Sequence, residues 1–511
     1  MKKILAAIGV SVCAVSFSQA QTDEDALRYS QTQLPFGTAR SMGTGSAFGA
    51  VGADFTALTI NPASIAFYKA NEFTITPGFS ASKTETEFAG QTNEARKYNL
   101  NMSNMGIVFT WLKDTNAINN RSNWKSFSFG FGANRVATFH RDVYFKGLNT
   151  SNSMVSAYLQ YINSRNLSPA NVEDFDPFGY SLFYAGGLIQ PKPGSQDAYT
   201  SPLENGGLEQ SKSYTTRGGI TDYSLTFGGN YNDKLMVGVG LGIPSLRYDY
   251  ESTFSESDVN DSIPNFNRFD YNYDQTTSGV GINGKLGLIY KVHDAVRVGV
   301  SVQTPTYFSM QDTWDASLSA NYNSGTVDES PEFDRGRFNY ALVTPWKLTG
   351  SAAFIIKQHG FISVDYDWQD YSEANFVFNN NATNADKEHE ATQNQEINSK
   401  YSHSGTVRIG GELALNIFRM RAGYGLGLSP LKSVNEEQRG FDERRQSIST
   451  GFGFMEENFF LDFAFRHTST PSWHQPYLLN NDNDPSTSQY VPGAKLSSKA
   501  NHLVLTLGLK F

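Results

Sequence analysis

Seven charged side chains recur at positions that an alternating chain would turn to one side of a sheet: Asp365, Asp367, Arg408, Glu412, Arg421, Asp462 and Arg466. Two chemistries are open to such a set. Either the groups pair with one another, because an unpaired charge in a confined interior is costly, or one arginine receives a ligand carboxylate. Other chemistry finds less support. The eight histidines, at 140, 293, 359, 389, 403, 467, 474 and 502, show no paired metal spacing, and the one cysteine is Cys13, so no metal site is assigned. Gly43-Thr44-Gly45 lacks the third glycine of a dinucleotide loop and follows no strand. With no nucleophile elbow either, the chain is read as a non-enzyme without cofactors.

The elements that would carry these charges are strands. Period-2 runs occur near 71–82, 98–111, 124–140, 218–230, 234–250, 277–291, 295–310, 338–356, 360–376, 401–415, 417–428, 444–455, 459–468 and 498–511. That is about fourteen, an even number as single-chain bacterial barrels require. From the third strand on, connection lengths alternate. Long stretches at 141–217, 251–276, 311–337, 377–400, 429–443 and 469–497 are separated by short ones at 231–233, 292–294, 357–359, near 416 and at 456–458. Sorting of this kind marks an outer-membrane barrel, with turns in the periplasm and loops outside. The last strand puts Leu503, Leu505, Leu507, Leu509 and Phe511 on one face and His502, Thr506 and Lys510 on the other, so the leucine face meets lipid. By the same parity the seven charges above, and Arg419, face the lumen.

Length and composition agree. No composition shift divides the 511 residues, so one large architecture is expected. Residues 1–20 read as a signal peptide: Lys2 and Lys3, an apolar run from Ile4 to Phe17, then Ser18-Gln19-Ala20. Beyond them no window reaches 18 uninterrupted apolar residues, which excludes helical spans but not a barrel, whose mean hydropathy stays low, here −0.41. The 26 Tyr and 37 Phe suit interfacial girdles. Without Lys2 and Lys3, 39 basic face 50 acidic residues, a formal −11 that disfavours nucleic acid.

Two stretches depart from the barrel pattern. In the third strand Phe127, Phe129 and Phe131 form an apolar face, but continuing through Ala133 puts Arg135 toward lipid. Either Arg135 lies near the membrane edge or the register slips by one residue within 130–134, which the glycines there permit. In the longest loop, 141–217, Met154, Tyr158, Tyr161 and Ile162 recur at helical spacing, followed by Phe175, Phe178, Leu182, Phe183, Tyr184, Leu188 and Ile189. These residues either pack the loop onto the barrel rim or form an external apolar groove. Loop 377–400, rich in Asn, Ala, Glu and Gln, reads as a solvated, mobile segment.

Residues 37–67 are dense in Gly, Ala, Ser and Thr, show neither period, and carry the triplet Asn61-Pro62-Ala63. This stretch resembles the N-terminal hatch of the FadL/TodX family of outer-membrane transporters for hydrophobic compounds. The segments TPWKLTGSAAF at 344–354, RMRAGYGLGLSP at 419–430, SISTGFGFMEENFFLDFAF at 447–465 and the terminal LTLGLKF add to the resemblance. It implies a hatch over 21–70, with a gate at Asn61, Pro62 and Ala63, inside a barrel over 71–511. It further implies a kinked third strand whose lateral opening lies at Gly132, Ala133, Asn134 and Arg135, and ligand capture at Met154, Tyr158, Ile162, Phe178, Leu182 and Phe183. The expected function is passive uptake of hydrophobic compounds, with fatty acid or aromatic hydrocarbon as ligand. Expected partners are that ligand, outer-membrane lipid and lipopolysaccharide, and the barrel-assembly machinery, through the strand ending at Phe511. Two other readings are a non-transporting adhesin or structural barrel, and a hydrolase with a membrane-edge Ser/His pair at His140 or His467.

Overall fold

The structure, a computed structural model, describes residues 21–31, 36–113, 122–165, 168, 172, 176–195, 197–331, 335–379, 382–432, 440–477, 479 and 491–511. The expected signal peptide, 1–20, and Phe175 lie outside them. Fourteen antiparallel staves form one closed sheet. They are β1 (Glu72–Phe88), β2 (Gln91–Leu112), β3 (Trp124–Thr138, resuming at Arg141–Asn149), β4 (Leu208–Tyr231), β5 (Leu235–Ser257) and β6 (Phe266–His293). Next come β7 (Val296–Gln303 and Tyr307–Tyr322), β8 (Gly336–Val343 and Lys347–Ile355) and β9 (Gly360–Asp370 and Asn375–Phe378). The ring ends with β10 (His403–Leu415), β11 (Phe418–Gly427), β12 (Arg445–Met455), β13 (Phe459–His474) and β14 (Ala494–Lys510). Pairing of β1 with β14, from Glu72↔Lys510 to Glu87↔Lys495, closes the ring, which leaves no long free edge there. Among the described residues no helix is long and apolar enough to cross a membrane.

Alternation decides which side of the wall each residue takes. Leu503, Leu507 and Leu509 are exposed, whereas His502 and Thr506 between them are buried inside. The same outward exposure of Val, Leu, Ile and Phe recurs around the wall, making an apolar belt of the kind such barrels turn to lipid.

The short connections are turns at one end of the barrel. Two of the stretches expected as long loops are largely strand. The 251–276 interval is strand except for 258–265, and 311–337 holds the rest of β7 and a short strand, Gly325–Glu329, folded back on it. β1 and β2 likewise run on to a two-residue turn at Ala89 and Gly90, both with positive φ. Above the belt no lipid imposes alternation, so Ser, Thr, Asp and Tyr fill both faces while backbone pairing continues. Loop 377–400 also differs from expectation. Asn384 to Lys400 is a helix, capped by Thr383 and Asp386. Its only buried residue is Ile397, so no apolar stripe announces it.

Residues 21–31 and 36–70 lie within the ring. They form α1 (Asp23–Ser30), α2 (Ala39–Gly43), α3 (Ala57–Ile60) and a 3₁₀ turn, Pro62–Phe67, joined by irregular backbone. Thr22 and Asp25 make a capping box at the start of α1.

Candidate functional site

The N-terminal segment is held to the wall by ion pairs. Arg408 clasps Asp367 with both Nη atoms, at 2.5 and 2.9 Å, and reaches Asp365 at 3.5 Å. Asp365 in turn accepts the backbone N–H groups of Phe48 (2.9 Å) and Gly49 (3.0 Å). Arg421 bridges Glu412 and Asp462, at 2.6 Å each. Arg40, on α2, completes the group with two bonds to Glu412, at 3.0 and 3.1 Å. Arg466 donates to Ser46 Oγ at 2.7 Å. All seven lumen charges read from the sequence are thus brought together, largely buried, and each contacts either a neighbour in the set or the N-terminal segment. Arg419 stands apart and bonds the carbonyl groups of Asn416 and Phe418 at the turn end. Arg40 was missed. Strand parity carried no signal for it, because Arg40 lies in the irregular N-terminal segment and Arg419 had been counted among the lumen charges in its place.

Asn61-Pro62-Ala63 sits against the wall near its turn end. Asn61 Nδ2 donates to Gly49 O at 2.9 Å and Leu288 O at 3.3 Å, while its Oδ1 accepts the Ala63 N–H at 3.1 Å. The approach requires glycine in the wall. A Cβ on Gly238 would lie 2.5 Å from Ala63 N, and one on Gly287 would lie 2.8 Å from Pro62 Cδ.

Backbone pairing in the wall is interrupted at one place. β2 and β3 pair from Leu112↔Ser126 to Asn104↔Asn134 and no further, although both strands continue. Asn104 Nδ2 donates to Asn134 Oδ1 at 2.8 Å at this last rung, and Asn134 Nδ2 reaches Phe55 O at 3.5 Å. Gly132 and Ala133 still pair in register with Gly106 and Met105. The slip lies just beyond them, where Arg135↔Thr221 is followed by Ala137↔Ile220 and Val136 is the extra residue. After this bulge Ala137 and Phe139 turn inward. Arg135 folds back onto its own wall and donates to Ala137 O (3.0 Å) and Gly218 O (2.6 Å). Higher up, residues 141–149 pass behind the β1–β2 hairpin, where Thr86 Oγ1 meets Tyr144 O at 2.6 Å and Lys97 meets Asp142 at 2.8 Å. Asn104 and Val136 are the functional candidates that strand parity alone did not single out.

At the loop end Met154, Tyr158, Ile162, Phe178, Leu182 and Phe183 all enter one buried cluster. α4 (Met154–Arg165) and α5 (Tyr180–Ala185) press these side chains onto Phe269, Tyr271 and Trp314 of the extended strands. Tyr158 stacks on Phe183 with centroids 4.4 Å apart, and Tyr271 Oη donates to Phe178 O at 2.7 Å. In this state the six residues are a packed core. Asp176, before α5, accepts the Phe178 N–H at 3.3 Å, and burial pushes its carboxyl up to about 6. α6 (Asn384–Lys400) holds α1 from the same end: Gln393 Oε1 accepts the Asp23 N–H, and Lys400 and Tyr401 bond the Asp23 carboxylate.

No protein-family model matches the chain, and no curated protein matches it in sequence. Solved structures do. The Pseudomonas putida toluene transporter TodX aligns over 92% of this chain and 97% of its own, with a TM-score of 0.51 at 13% identity. A FadL homologue from Pseudomonas aeruginosa aligns over 94% and 99%, with a TM-score of 0.53 at 12% identity. The chain has the FadL/TodX fold. At such identity the likeness lies in the FadL/TodX architecture, and side-chain roles have to be argued from the contacts above.

Proposed function

We propose that this chain is an outer-membrane channel for passive uptake of hydrophobic compounds such as long-chain fatty acids. One observation carries the reading: the β2–β3 ladder stops at Asn104 and Asn134 while both strands run on, where the N-terminal segment meets the wall through Phe55. An interrupted ladder is the place where a wall can pass a molecule sideways into lipid. The fold of a protein described as a toluene transporter is consistent with this.

In this account the ligand is captured at the outer loop when α4 and α5 part, exchanging contact with Tyr158, Leu182 and Phe183 for contact with ligand. Residues 21–70 act as a hatch, with Asn61 to Ala63 as its gate against β5 and β6. Release is lateral, past the bulge at Val136. The buried ion cluster anchors the hatch rather than binding ligand, because its guanidinium groups are already engaged. An adhesin would use the projecting hairpins but gives no reason for the interrupted ladder.

Uptake of radiolabelled oleate and toluene by cells expressing the protein, against cells carrying an empty vector, tests this. Uptake of either above the control is expected. Uptake of neither by a barrel shown to be folded would reject transport in favour of the adhesin.

A further inference from the structure

The outer wall holds a trough that none of the foregoing uses, with a volume of about 860 Å³. No residue of the N-terminal segment lines it, so it lies on the outward face. Its shape follows from two cross-strand rows. One runs Phe129, Phe227, Val239, Leu286, Val302 and Leu348, and the next runs Phe127, Gly229, Val237, Leu288 and Val300. The floor is smallest at Val237 and Val239 on β5, between Phe227 on β4 and Leu286 and Leu288 on β6, where the inner face of the same wall is drawn onto Pro62 and Ala63. The lining is almost wholly apolar. The backbone beneath it is paired throughout, which leaves no free ladder groups for an added strand.

At the turn end of the trough stand Trp111 and Trp124, the latter stacked on Phe127 at 5.1 Å. Beside them the Lys113 N–H donates to Lys125 O at 2.9 Å, so that two lysines neighbour each other along the backbone at the turn end. Lys234 adds a third at the next turn, where Asp233 is engaged by Asn230 at 2.8 Å. Aromatic girdle and basic rim are the interfacial signature of a bilayer leaflet, and clustered lysines there attract phosphate.

We propose that the trough is a binding site for one phospholipid of the periplasmic leaflet, its acyl chains over Val237 and Val239 and its phosphate at Lys113 and Lys125. An ordinary annular lipid meets a convex wall and exchanges freely. Here an apolar trough ends at Trp111 and Trp124, next to which the chain carries Lys113 and Lys125, so chains and headgroup are engaged together.

Native mass spectrometry of the protein, released from polymer-extracted membrane patches into mild detergent, tests this. The wild-type barrel is expected to retain one phospholipid. Val237→Trp, which fills the floor from the lipid side, should reduce retention at least about tenfold, and Lys113→Glu with Lys125→Glu should do so without touching the floor. Wild-type protein that carries no phospholipid, or retention unchanged in both variants, would overturn the proposal. So would retention of lipopolysaccharide or a second copy of the chain in its place.

Discussion

Asn104 and Asn134 face each other across the last rung of the β2–β3 ladder, Nδ2 to Oδ1 at 2.8 Å, and Thr74 Oγ1 and Phe55 O complete the chain of amides. Both asparagines are buried. Asn134→Ala would leave Asn104 Nδ2 with only its long contact to Ala133 O at 3.4 Å. A cost of about 1–3 kcal/mol is expected, read as a lower unfolding midpoint by heat-modifiable gel mobility. Asn134→Asp keeps an acceptor for Asn104 but buries an unpaired carboxylate against Phe55 O, and should cost at least as much.

The ion cluster makes a second prediction. Arg421→Ala leaves Glu412 and Asp462 buried without their shared partner and should destabilise the barrel by roughly 3–5 kcal/mol. Arg40→Ala removes the partner that belongs to the N-terminal segment, while Arg421 still meets Glu412 at 2.6 Å. It should leave the barrel folded but loosen the segment, giving higher single-channel conductance in planar bilayers than the wild type.

The contact of Gly238 with Ala63 is equally exposed to test. Gly238→Ala places a Cβ 2.5 Å from Ala63 N, so wall or segment must move, whereas Gly240→Ala meets nothing nearer than Lys285 Cβ at 3.5 Å. Conductance should rise in the first variant and stay at the wild-type level in the second.

Asp176 predicts a pH dependence for the outer loop. Its carboxyl, ordinarily near 3.8, is pushed up to about 6 by burial, so the packed loop binds that proton more tightly than the opened loop does. The stabilisation is therefore present below about pH 4, declines as pH rises to about 6 and is flat above, a change of roughly 3 kcal/mol. Limited proteolysis of loop 150–207 should accelerate over that window, and Asp176→Asn should abolish the change.

How much of this could be read from sequence depended on what constrained each stretch. Lipid forces alternation, so Leu503 to Leu509 and their counterparts in the other staves were legible. Above the belt the constraint ends, and the upper halves of β5, β6 and β7 looked like loops. The helix at 384–400 buries only Ile397 and so left no periodic trace. Arg135 betrayed the irregularity in β3 by standing on the wrong face, yet the slip lies at Val136 because Gly132 and Ala133 can pair normally with β2. The apolar spacing from Met154 to Ile162 did mark a helix, but whether its face was open or packed depended on Phe269, Tyr271 and Trp314, more than 100 residues away in sequence.

The central claim is that hydrophobic ligand leaves sideways at the bulge in β3. Deleting Val136 would bring Arg135 and Ala137 onto consecutive rungs against β4 and let β3 run on beside β2. Radiolabelled oleate uptake would be compared between cells expressing the intact protein and the deletion variant, with both shown to be folded by heat-modifiable mobility. The account predicts uptake by the intact protein that falls to the empty-vector level in the variant. Equal uptake by a folded variant would contradict it.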